Sequence, residues 1–142
     1  MNQVSLCVID TMIVVSGMIG KPNGSDAKIL SLIETGQLRL VLSDAGLLEF
    51  ADVISRDFVK QHFPLPARVF RVGLTLGMMG MLHRPERFDW TSLSDPKDWW
   101  LLDLAFSAEA DYIVTRDKKV LVAANSLGFS AVTPPQLLKL LK

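Results

Sequence analysis

A chain of 142 residues, 49% apolar and carrying 15 basic against 15 acidic side chains, is long enough to bury a core without disulfides or a structural metal, and its zero net charge argues against a strongly basic nucleic-acid binder. Low-complexity tracts and internal repeats are absent, so residues 1–142 read as one folded domain. The single cysteine, Cys7, excludes an intramolecular disulfide and fits a reducing compartment. The early Asp10 and the broken apolar stretch 69–82 argue against a signal peptide and a membrane span, so a soluble cytoplasmic protein is expected.

Residues 4–9 form a short apolar run without strict alternation, as expected of a strand buried on both faces of a parallel sheet. It ends at Asp10. Residues 11–19 are apolar and fit either a helix or a second strand, and residues 21–24, KPNG, are a turn. Ser25 is expected to cap a helix carrying Ile29, Leu32 and Ile33 inward and stopping at Gly36. A second strand follows at 38–42. Ser43 then opens a third helix whose apolar stripe is Leu47, Phe50, Ala51 and Ile54, with Glu49 off that stripe among Ala45, Gly46 and Val53.

The middle of the chain is the basic part: residues 56–87 carry six basic side chains (Arg56, Lys60, Arg68, Arg71, Arg84, Arg87) against two acids. Solvated helix faces are the simpler reading and contact with a phosphodiester the other. A helix starting at Pro66 and a short strand around Phe88 are expected here. Asp95 and Pro96 then read as cap and first residue of a helix over 98–110 with Leu101, Leu104, Ala105 and Ala108 inward. Strands at 112–114 and 129–132 and a Thr133-capped helix over 136–141 complete an alternating pattern. The fold class it predicts is a three-layer α/β/α sandwich with a mainly parallel sheet of about five strands.

In such a sheet, functional groups gather at the carboxyl ends of the strands. Asp10 ends the first strand, Asp117 follows Thr115 past a later one, Asp98 opens the helix leading into that strand, and Glu49 lies early in the helix after the second. Four carboxylates crowded together disfavour one another's ionisation unless a cation intervenes. An all-oxygen donor set, with no Cys or His at zinc-ligand spacing, favours Mg²⁺ or Mn²⁺ over Zn²⁺. Each acid also has a plainer reading, as helix cap, dipole partner, turn residue or solvated side chain.

The order VIDTxxxVS, LSxxxLLEF, DPKDxxLLxLA, ADYIVTRDKKVL and TPxxLLxLL resembles the PIN-domain family, in particular the toxin components of toxin-antitoxin pairs. The resemblance implies that Asp10, Glu49, Asp98 and Asp117 bind Mg²⁺ or Mn²⁺ and that Thr11 and Thr115 support them. It also implies metal-dependent endoribonuclease cleavage of RNA, a cognate antitoxin as partner and a homodimer, with residues 78–82 as an apolar surface. Met12, Trp99 and Lys119 stand where the family commonly has polar or acidic residues, so the alternative is a PIN-like RNA-binding or partner-binding module without full catalysis. Trp99 and Trp100 either pack against a neighbouring element or stack on unpaired bases.

Overall fold

The computed structural model describes residues 4–54, 81–82, 85–90 and 99–141. In chain order these form β1 (Ser5–Ile9), α1 (Thr11–Ile19), α2 (Ser25–Glu34), β2 (Leu38–Leu42), α3 (Asp44–Ile54), β3 (Met81–Leu82), α4 (Trp99–Ala108), β4 (Tyr112–Val114), α5 (Lys118–Ser126), β5 (Ala131–Val132) and α6 (Pro134–Leu140). The described strands make one five-stranded sheet in the order β3-β2-β1-β4-β5. Every neighbouring pair is parallel, with Cys7 beside Leu40, Val8 beside Ile113, Val41 beside Met81 and Val114 beside Val132.

The pleat of β1 shows why helices must cover both faces. Cys7 and Ile9 point into a cluster with Ile13, Ile29, Ile33 and Leu137, whereas Val8 points into a second with Leu101, Leu104, Val120 and Ala124. Helices α1, α2 and α6 therefore cover one face and α4 and α5 the other, which is the expected three-layer α/β/α arrangement. The chain builds outward from β1 to β3 on one side and then returns to add β4 and β5 on the other. The carboxyl ends of β1 and β4 thus flank a topological switch point, where open parallel sheets leave a crevice.

Several local expectations change. Residues 11–19 are helical because Asp10 supplies an N-cap, its side chain accepting from the Met12 N–H. Gly24, not Ser25, is the N-cap of α2, while Gly36 does stop it, at φ +77. The buried face of α3 follows the expected stripe in part: Phe50 packs against the core, but Val53, 2% exposed, is buried where Leu47, 39% exposed, is not. Phe88 is not in a strand, because its N–H is taken by the Asp103 side chain rather than by a sheet neighbour. The third strand is instead the two-residue Met81–Leu82.

The last strand shrinks to Ala131–Val132, and the last helix starts at Pro134 behind a capping box between Thr133 and Gln136. The helix expected from Pro66, the Asp95 and Pro96 cap, and Arg56, Lys60, Arg68, Arg71 and Arg84 lie outside the described residues. Among the described residues, no helix is long and apolar enough to cross a membrane.

Candidate active site

At the switch point, two acids are held by one hydroxyl. Asp10 leaves β1 with its N–H on the Val114 carbonyl of β4 at 2.9 Å, so backbone pairing carries it across to the neighbouring strand end. Its Oδ1 accepts from the Met12 N–H at 3.2 Å and its Oδ2 from the Thr115 hydroxyl at 2.9 Å. Thr115, fully buried just past β4, also accepts from the Asp117 N–H at 3.1 Å. Asp117 in turn caps α5, its Oδ1 accepting from the Lys119 N–H at 2.9 Å. Each acid is thus an N-cap at the positive end of a helix dipole, and the two helix ends open onto the same sheet edge.

Glu49 reaches this edge from α3. The Thr11 hydroxyl, 4% exposed at the start of α1, donates to Glu49 Oε2 at 3.1 Å. Thr11 adjoins Asp10 in sequence, so the two threonines tie Glu49, Asp10 and Asp117 into one neighbourhood. Asp98 lies outside the described residues, and α4 is described from Trp99. Among the described residues, no group of three or more His, Cys, Asp or Glu side chains is arranged to hold a metal ion. The donor chemistry of Asp10, Glu49 and Asp117 nevertheless suits a hard divalent cation: all are carboxylate oxygens at the mouth of a crevice.

The residues that depart from the family pattern are visible here. Met12 is 43% exposed and takes part through its N–H. Lys119 is exposed and lies in the first turn of α5 rather than in a loop, its backbone N–H serving the Asp117 cap. Trp99 and Trp100 are half-buried at the start of α4.

Three charged residues that sequence reading passed over prove structural. Asp26, 5% exposed in the first turn of α2, receives both arms of the Arg116 guanidinium at 2.6 and 2.5 Å. Arg116 sits between Thr115 and Asp117, so this fork pins the β4–α5 loop to α2. The bonds to Asp26 raise the Arg116 pKa above its ordinary value against a partial desolvation that lowers it. Asp103, 7% exposed, accepts at Oδ1 from the Phe88 N–H (3.0 Å) and the Trp90 indole N–H (2.7 Å). The available signal for Asp103 was an acid inside the apolar run LLDLA, where burial demands a partner.

A parallel α/β sandwich with acids and hydroxyls at its switch point defines a class of domain built to act at that edge. The chain matches the PIN domain over residues 7–119 and belongs to that family. PIN domains are typically nucleases, which bind nucleic acid and generally use divalent metal ions. No curated protein matches the chain.

Proposed function

We propose that this PIN domain is a metal-dependent endoribonuclease and the toxin half of a toxin-antitoxin pair, cytoplasmic and homodimeric. The observation that carries the catalytic part is the Thr115 hydroxyl, which bonds Asp10 and receives the Asp117 N–H at the switch point. Asp10, Asp98 and Asp117 would hold Mg²⁺ or Mn²⁺, with Glu49 as a further ligand or as the group that orients the attacking water. When bound there, such an ion would offset charge on the phosphodiester and favour ionisation of a water.

The chain's own residues do the rest. Thr115 fixes the Asp10 carboxylate, and Thr11 fixes Glu49 so that its carboxylate can accept a proton from a water aligned with phosphorus. Water oxygen adds to phosphorus, the bond to the leaving ribose oxygen breaks, and that oxygen takes up a proton. The N-terminal dipoles of α1 and α5 add positive potential where the scissile phosphate would lie.

Incubating the purified protein with structured and unstructured RNAs, in Mn²⁺ and in EDTA, tests the reading. Cleavage in Mn²⁺ that is lost in EDTA and in Asp10→Asn and Asp117→Asn is the expected result; Asn caps a helix as well as Asp, so the fold is retained. Cleavage that survives both EDTA and Asp117→Asn would overturn it. Light scattering tests the dimer, and co-expression with a small neighbouring reading frame tests the antitoxin.

A second reading, an RNA-binding or partner-binding PIN domain without full catalysis, draws on Met12 and Lys119 standing where the family commonly has polar or acidic residues. It predicts RNA or partner binding without turnover and little Mn²⁺ uptake by calorimetry.

A further inference from the structure

We propose that the cleft of about 600 Å³ between the start of α3, residues 85–88 and the start of α4 is a nucleobase subsite that holds one unpaired base of single-stranded RNA. The proposal rests on the nuclease reading for the class of ligand and on the cleft itself for the place. Its walls include Ser43, Arg87, Phe88, Trp99, Trp100 and Asp103. The size falls within the range of pockets that take small organic ligands, roughly 300–1,000 Å³. Ser43 follows β2 directly, next to β1 in the sheet, so the cleft opens from the same sheet edge as Asp10.

Two of its aromatic walls, Trp100 and Phe88, are set in advance. The Trp100 ring lies against Gly46, where even a methyl group would come 3.1 Å from Cζ3. The Gly46 N–H is bonded to the Ser43 hydroxyl at 3.1 Å, which holds that backbone in place. Phe88 is held edge-on by Phe106 and tilted against Trp90, with ring centres 5.2 and 5.6 Å away, and its backbone is anchored by Asp103. Rings that are already ordered stack on a base without a further loss of rotamer freedom.

The charges argue against a general polyanion groove. Arg87 is exposed and is the one cation among the lining residues, which also include Asp44 and Asp103. Asp103 already accepts two hydrogen bonds, and with Asp44 the lining carries one cation against two acids, a net charge of −1. Such a site engages one phosphate through Arg87 and derives its selectivity from stacking.

The test uses fluorescein-labelled RNA pentamers, intact or with a single abasic position, titrated in Mn²⁺ by fluorescence anisotropy on an Asp117→Asn background so that the oligomer stays whole. One abasic position is expected to weaken binding about tenfold. Trp100→Ala should abolish that penalty and Trp100→Phe should restore part of it. Arg87→Ala should flatten the dependence of log affinity on log salt by about 0.7. Circular dichroism on each variant confirms folding.

Indifference of binding to every abasic position, an equal penalty in Trp100→Ala, or no binding at all would overturn the subsite. Cleavage of the same oligomers by the unmodified protein is scored separately. Base-sensitive binding without cleavage supports the subsite and counts against the nuclease reading; cleavage with base-indifferent binding does the reverse.

Discussion

Thr115 and Asp10 are 105 residues apart in the chain, yet their side-chain oxygens lie 2.9 Å apart. The same hydroxyl takes the Asp117 N–H at 3.1 Å, so one buried group orients acids from two strand ends. Thr115→Val keeps the shape and removes the hydroxyl. Leaving the part-buried Asp117 N–H without its acceptor and Asp10 without its donor should cost about 1 kcal/mol in urea unfolding. RNA cleavage should fall more than the stability loss accounts for, while Thr115→Ser should keep most of both. Equal activity in the valine variant would separate this hydroxyl from the site.

Arg116 and Asp26 make a different kind of contact. Asp26 is buried, but the Arg116 side chain is 50% exposed, so water relieves part of the penalty when either partner is lost. Arg116→Ala should destabilise by about 2 kcal/mol, below the roughly 3–5 kcal/mol typical of a fully buried pair. Because the damage is an uncompensated carboxylate, Asp26→Leu combined with Arg116→Met should be less destabilising than the sum of the two single changes. A double-mutant cycle by chemical denaturation measures this directly.

Glu109 holds a left-handed backbone, φ 54, immediately after α4. The Ala110 N–H bonds the Ala105 carbonyl at 3.0 Å and the Glu109 N–H bonds the Phe106 carbonyl, a Schellman ending in which glycine usually occupies this position. Glu109→Gly should stabilise the protein by about 1 kcal/mol and raise its melting temperature by roughly 3 °C, with RNA cleavage unchanged. Scanning calorimetry checks the shift; a lower melting temperature would contradict the strain argument.

Cys7 lies in the centre of the sheet, fully buried, with its thiol donating to the Arg39 carbonyl at 3.3 Å. Burial first, and the charge of Asp111 second, push its pKa well up, so the folded thiol stays protonated where an unfolded one ionises, above about pH 8.5. The sign follows: this thiol's contribution to stability is complete below that pH and declines as pH rises above it. The native protein should therefore resist a thiol reagent at pH 9 and react fully in urea. Rapid labelling of the native state would contradict the burial.

The gaps in the sequence reading have physical causes. Asp10 was legible because an acid closing a doubly buried strand has few places to go, and Asp117 because it follows a second such strand. The burial of Val53 rather than Leu47 in α3 was not legible: the apolar residues at 45, 47, 48, 50, 51, 53 and 54 lie all around that helix, so periodicity could not select the inward face. The expected strand near Phe88 failed because Asp103, far along the chain, supplies a competing acceptor. Asp26 and Arg116 look like ordinary surface charges until α2 meets the β4–α5 loop.

By itself the sequence determined the alternation of strand and helix, the two-sided burial of β1, the caps at Thr133 and Ser43, and the acids at strand ends. These follow from local rules: period, capping and the cost of burying a charge. Tertiary structure alone decided that Asp10 and Asp117 share Thr115, that Thr11 holds Glu49, and that Asp26 anchors Arg116. Each of these is a contact between segments whose proximity is set by strand order, and strand order emerges only when both faces of the sheet are buried at once.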